Sequence, residues 1–138
     1  MLEYRIDATR PTADGGTAAS HGARVELDTT LAGRADAFNP VELLLAALAA
    51  CMLKGVERAA PMLGFEFRSA SVKLHAVRQD APPKLVSIDY ELSIDTDEPD
   101  RRLELLHVNV IKYGTISNTL AASVSLTGTI RRMGEQPS

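Results

Sequence analysis

The chain has 138 residues, a formal net charge of −3 and a hydrophobic fraction of 45%. That length suits a single domain, 1–138, able to bury about 68% of its extended surface. The small, dispersed charge argues against an electrostatic nucleic-acid or membrane surface. Aromatics are scarce at 4% and Trp is absent, so the core must be built from Leu, Val, Ile and Ala. One Cys excludes an intrachain disulfide and fits a reducing compartment. The first residues lack the basic and apolar regions of a signal peptide. The longest apolar run, 43–53, has eleven residues, too few to span a bilayer. A soluble cytoplasmic protein is expected.

Residues 2–30 read as short strands. Over 2–10, Leu2, Tyr4, Ile6 and Ala8 fall on one face. Residues 11–16 are turn chemistry, with Asp14-Gly15 the strongest signal. A second strand is expected over 17–21 and a third over 23–30, where Ala23, Val25 and Leu27 alternate with Arg24, Glu26 and Asp28. A polar loop, 33–38, follows.

Asn39 suits a helix N-cap, Pro40 the first helical position and Glu42 the third, a capping-box arrangement with Asn in the Ser/Thr role. The helix is expected to run to about residue 60, ending near Pro61 with Gly64 just beyond. It is apolar nearly all round until Lys54, so it needs burial on more than one side. A chain this short has little material to surround it, which points to a second subunit. Ala46, Ala47, Ala49 and Ala50 leave room for another backbone.

Residues 65–79 are strand-like with a slip of parity, Phe65 and Phe67 against Val72, Leu74 and Ala76, which a bulge near 68–71 accommodates. After a turn at 80–83, Val86, Ile88, Tyr90, Leu92 and Ile94 alternate along 85–95 and complete a hairpin. Thr96 or Asp97 can cap a second helix, with Pro99 in its first turn and Leu103, Leu106, Val110 and Tyr113 at the 3.6 period. Gly114 is placed to end it. Residues 115–120 are a turn or a single helical turn. Ala122, Val124, Leu126 and Ile130 make a last strand, and the tail 134–138 reads as disordered. The order β-β-β-α-β-β-α-β indicates α+β with mainly antiparallel sheet.

That order, the segment Asn39-Pro-Val-Glu-Leu-Leu-Leu-Ala-Ala-Leu-Ala-Ala-Cys51 and the later Lys112-Tyr-Gly-Thr-Ile-Ser-Asn-Thr-Leu120 resemble the OsmC/Ohr family, the osmotically inducible and organic-hydroperoxide-resistance proteins. The resemblance extends over roughly 4–132. It implies an intertwined homodimer whose central helices lie between two sheets. It implies thiol peroxidation: a reactive Cys attacks a hydroperoxide and becomes a sulfenic acid, a second Cys condenses with it, and a dithiol reduces the disulfide. It also implies an Arg and a Glu near the first Cys.

Cys51 occupies the first-cysteine slot. The second slot, after Lys112-Tyr113, holds Gly114, and the carboxylate slot directly after Asn39-Pro40 holds Val41. Glu42 lies about 100° further round the helix and is explained by the cap. The Arg slot falls near Thr29, and Arg34 in the same loop is a candidate to stand in for it.

An ordinary thiol is only about 3% thiolate at pH 7. Cys51 lies three turns from its helix N-terminus, beyond the reach of the helix dipole. A reactive Cys51 therefore needs a cation or several donors. Arg34, Arg24, a partner-subunit Arg, Lys54, and Ser117 and Asn118 in the loop 115–119 are the candidates. The three His have no ligand-spaced partners, so no metal or cofactor is expected. Two readings stay open. One is a single-cysteine redox protein acting on an organic hydroperoxide, resolved by an external thiol. The other is a non-catalytic homodimer keeping an apolar pocket for a small ligand.

Overall fold

Tight turns at Ala13-Asp14 and His21-Gly22 fold the N-terminal segment into a three-stranded antiparallel sheet, β1 (Asp7–Thr12), β2 (Gly15–Ser20) and β3 (Ala23–Leu27). The computed structural model describes residues 1–135. It divides into two units, Met1–Ala46 and Ala47–Ser138. The first strand begins later than its alternation predicts. β2 pairs Asp7 with Ala19 and ends one residue on, at the His21 turn, so residues 1–6 have no strand to lie against. The Ser20 hydroxyl reaches back, donating to the Arg5 carbonyl at 2.7 Å. Pro11 sits inside β1, which as an edge strand tolerates a missing N–H. The turn expected over 11–16 is thus only two residues long. β3 stops at Leu27, because Asp28 turns its carboxylate into the loop that follows.

Helix α1 (Pro40–Leu63) opens with the predicted reciprocal cap. The Glu42 N–H donates to Asn39 Oδ1 at 2.9 Å, and the Asn39 N–H donates to Glu42 Oε1 at 3.0 Å. Its C-terminus runs past the expected stop. Pro61 lies inside the last turn, on the exposed side. The end is closed by a Schellman arrangement: Phe65 N–H donates to Ala60 O at 2.8 Å, and Gly64, at φ +60°, donates to Pro61 O. Arg102 then donates to the Leu63 and Gly64 carbonyls. These bonds satisfy carbonyls that a helix leaves free, so proline's penalty in the last turn is offset. Phe65 is the buried anchor of this cap rather than part of a strand.

The second sheet has the order β4-β5-β6, with β4 (Ser69–Asp80), β5 (Pro83–Asp95) and β6 (Ser125–Arg132). β4 and β5 form the expected antiparallel hairpin. The parity slip is absorbed by the strand starting at Ser69, and the register shift lies instead at Val77/Arg78, near the turn. β5 and β6 pair in parallel, which requires a crossover. α2 (Asp100–Lys112) and α3 (Thr115–Ala121) supply it. The observed order is therefore β-β-β-α-β-β-α-α-β, an α+β fold with one antiparallel sheet and, in place of the expected second antiparallel one, a mixed sheet. β6 begins three residues after Ala122, because Ser123 and Val124 donate back to Leu120 and close α3. Of the tail, Gly134 and Glu135 are described; 136–138 lie outside the described residues.

The core of the second unit is one face of this sheet against two helices. Ile88, Leu92 and Ile94 are fully buried, as are Leu48, Met52 and Val56 on α1 and Leu106 and Val110 on α2. Each such side chain contributes about 1.5–3 kcal/mol. The helices run antiparallel and approach closely where Gly55 faces Val110; a Cβ on Gly55 would stand 3.1 Å from Val110 Cγ1 and 3.6 Å from its Cα. On the same seam Arg58 donates to Asn109 Oδ1 at 2.9 Å and stacks over the Tyr113 ring.

Two outcomes test this packing. Gly55→Leu is expected to lower stability by about 1–3 kcal/mol, the cost of overpacking, read as a shift of the urea midpoint. The second concerns His107, half-buried on α2, whose ring pairs with the Tyr90 hydroxyl at 2.6 Å. Burial holds its pKa below the usual histidine value, against a smaller opposing effect of Glu104. The unfolded chain therefore takes up a proton near pH about 6.5 that the folded chain does not. Stability is full above that pH and declines as pH falls toward the folded value. Urea midpoints at pH 7.5 and 5.5 should differ more in wild type than in His107→Gln.

Candidate functional site

α1 carries Cys51 one turn before Gly55, on the seam that faces α2. The antiparallel pairing that sets Gly55 on Val110 brings Cys51 to the junction of α2 and α3. Here Gly114 is the N-cap of α3, at φ −81° and ψ 117°. An ordinary L-residue adopts that backbone, so this glycine is not the left-handed helix terminator that the sequence suggests. Its lack of a side chain leaves space instead. A Cβ at position 114 would stand 2.9 Å from Ser117 Oγ, 3.1 Å from Val110 O and 3.3 Å from Cys51 Sγ. The bare side of Gly114 is thus a notch bordered by a thiol, a hydroxyl and a carbonyl.

Cys51 is partly exposed, unlike its neighbour Met52, which is fully buried. Ser117 is 1% exposed, and its hydroxyl has no hydrogen-bond partner among the described residues. Asn118 does something different: its amide donates to Lys112 O at 3.1 Å on the exposed side and ties α3 to the end of α2. Thr119 likewise bonds back to Thr115 O. Of the two candidates in this segment, Ser117 lies with Cys51 and Asn118 serves the helix junction. Lys54 is exposed.

Arg34 belongs to the first unit. Asp28, 8% exposed, accepts from Thr30 N–H, the Thr30 hydroxyl and Arg34 N–H, and so shapes the loop after β3. The Thr30 hydroxyl, then the Arg34 N–H, hold its carboxyl below the usual range. The Arg34 guanidinium makes a two-pronged pair with Asp36, 2.9 and 3.0 Å, and lies 3.6 Å from Glu26. Its charge is therefore already matched by carboxylates within its own loop and strand. Arg24 bonds to the Thr17 hydroxyl on the exposed sheet. His75 pairs with Asp89 and His107 with Tyr90. Among the described residues no three His, Cys, Asp or Glu side chains are grouped to hold a metal ion, and no helix is long and apolar enough to cross a membrane.

Sequence reasoning reached Cys51 and Ser117 but missed Gly55 and the Val110 carbonyl. A glycine inside an otherwise Leu/Ala-rich helix is a readable sign of close backbone approach. A carbonyl at a helix end has no signature in side-chain identity.

A family model described as OsmC-like protein matches residues 33–128. No curated protein matches the chain. Among solved structures, an OsmC-like protein from Mycoplasma pneumoniae is 22% identical with a TM-score of 0.87, covering 95% of this chain and 97% of its own. An organic hydroperoxide resistance protein OsmC from Legionella pneumophila is 20% identical with a TM-score of 0.74, covering 94% and 98%. The organic hydroperoxide resistance protein OhrB of Bacillus subtilis is 17% identical with a TM-score of 0.65, also covering 94% and 98%. At these identities the likeness is one of fold.

The notch geometry has a direct check. The atom nearest a new Cβ at 114 is the movable end of Ser117, so Gly114→Cys is expected to fold. Its Cβ then lies close enough to the Cys51 sulfur for a disulfide. Mild oxidation should remove both free thiols in a single chain. Two thiols that stay reactive under oxidation would show that Gly114 does not stand over Cys51.

Proposed function

This chain belongs to the OsmC-like protein family, and on that premise we propose that it is a thiol-dependent redox protein of the stress response that reduces organic hydroperoxides through Cys51. The observation that carries this reading is the position of Cys51 Sγ. The residue is partly exposed, unlike Leu48 and Met52 in the core, and its sulfur borders the notch at Gly114.

The chemistry follows from having a single thiol. The Cys51 thiolate attacks the hydroperoxide; an S–O bond forms as the O–O bond breaks, and the alkoxide takes a proton and leaves as alcohol. Cys51 is then a sulfenic acid. With Gly114 in the second-cysteine slot, no thiol of the same chain condenses with it. An external thiol attacks the sulfur, an S–S bond forms and water leaves. A second equivalent of thiol opens the mixed disulfide and returns Cys51. Two thiols are oxidised for each hydroperoxide reduced.

The whole chain, 1–138, acts as one OsmC-like domain completed by a second copy. Two observations support the homodimer. On α1, Ala47 and Ala50 are exposed and Leu43, Leu44, Leu45 and Leu53 are only partly buried. In the first unit Leu2, Tyr4, Ile6, Val25 and Phe38 are exposed, leaving a three-stranded sheet with almost no core. Such a sheet needs packing to be stable. A partner Arg remains a candidate for the thiolate, since Arg34 is already paired. The proposed location is the cytoplasm, where external thiols are reduced.

The test is consumption of tert-butyl hydroperoxide with dithiothreitol. Wild type is expected to turn over, and Cys51→Ser should lose about 100-fold or more, the scale of deleting a nucleophile. Equal consumption by the two proteins would replace this reading with that of a non-catalytic homodimer binding a small apolar ligand.

A further inference from the structure

Ser117 is a buried hydroxyl without a partner, and such groups are uncommon because burying an unmatched donor costs stability. At the third position of a helix a serine ordinarily faces solvent or bonds a nearby backbone group. Here it does neither, and its Oγ borders the same notch as Cys51 Sγ. The third atom of the notch is also without its ordinary partner. Val110 O is among the last four carbonyls of α2. The N–H that would close a helical bond to it, that of Gly114, turns to Ile111 O instead, at 3.4 Å. Among the described residues, a donor and an acceptor that both lack a hydrogen-bond partner thus border the same notch as the sulfur.

We propose that Ser117 is the oxygen-holding residue of this site: its hydroxyl donates to the oxygen that Cys51 takes from the hydroperoxide, and the Val110 carbonyl accepts the sulfenic O–H. This rests on the hydroperoxide reading and deepens it. During attack, negative charge develops on the peroxide oxygens, and a fixed donor at that place favours the transition state more than the ground state. After attack, the same pair of groups holds the sulfenic acid in one orientation.

The test compares wild type, Ser117→Ala and Ser117→Thr in single-turnover oxidation by tert-butyl hydroperoxide, with trapping of the sulfenic acid by dimedone. Alkylation of Cys51 by iodoacetamide, which delivers no oxygen, is measured in parallel. Ser117→Ala is expected to oxidise about tenfold more slowly, the worth of one charge-assisted hydrogen bond. It should pass more readily from sulfenic to sulfinic acid. Its alkylation rate should stay within about twofold and its urea midpoint should be equal or higher, because an unmatched buried hydroxyl has been removed. Ser117→Thr keeps the hydroxyl and should recover most of the oxidation rate. Oxidation of Ser117→Ala at the wild-type rate would overturn the assignment and leave the hydroperoxide reading standing. So would an equal fall in oxidation and alkylation. A wild-type Cys51 inert to hydroperoxide would overturn both.

Discussion

The close crossing of α1 and α2 at Gly55 and Val110 is the constraint on which the second unit depends. A side chain at 55 would push the helices apart, and every contact further along the seam would follow. Arg58 would leave Asn109 and Tyr113, Arg102 would leave the end of α1, and Cys51 would leave Gly114. A glycine inside a helix costs about 1 kcal/mol against alanine. Here that cost is offset by burial of Val56, Ala59, Leu106 and Val110 in one tight layer. The same crossing sets the thiol beneath the helix junction, so fold stability and site geometry share a determinant.

The two units are finished to different degrees. In the second, the outward face of the sheet is polar, with Lys73 opposite Glu91, His75 opposite Asp89, and Arg131 paired with Glu91. That face needs no cover. In the first unit, the loop after β3 is well organised by Asp28, yet the strands beside it bury little beyond Ala18. Local hydrogen bonding there has outrun hydrophobic burial, and a small sheet with so little core is marginal by itself.

Much of this was legible from local chemistry. The Asn39–Glu42 cap, the β4–β5 hairpin and the buried stripe Leu103, Leu106 and Val110 follow from spacing alone. The misplaced boundaries share one cause. Residues 2–6 alternate like a strand, Pro61 reads as a stop, and Ala122 and Val124 read as strand, but each is decided by what a neighbouring element offers. β2 ends before it can pair residues 1–6, the Gly64 and Arg102 bonds hold the last turn of α1, and Leu120 captures the start of the last segment. Cys51 and Ser117 could be named from the two sequence segments that carry them, and the structure brings both to the notch at Gly114. The role of Gly114 could not be read there, because close approach between helices is a tertiary property. The pairing of Arg34 with Asp36, two residues away, was present in the sequence as a local ion pair.

Because β5 and β6 run parallel, assembly of this unit has an order in time. The β4–β5 hairpin closes over short chain separations and can form early, whereas β6 must wait for the long crossover through α2 and α3. Gly114 and Ser117 lie in that crossover. A nascent chain therefore exposes the Cys51 thiol before the hydroxyl and the carbonyl that border it are in place. The notch beside Cys51 is among the last features to appear as the protein is made, and its walls are assembled by the same step that completes the sheet.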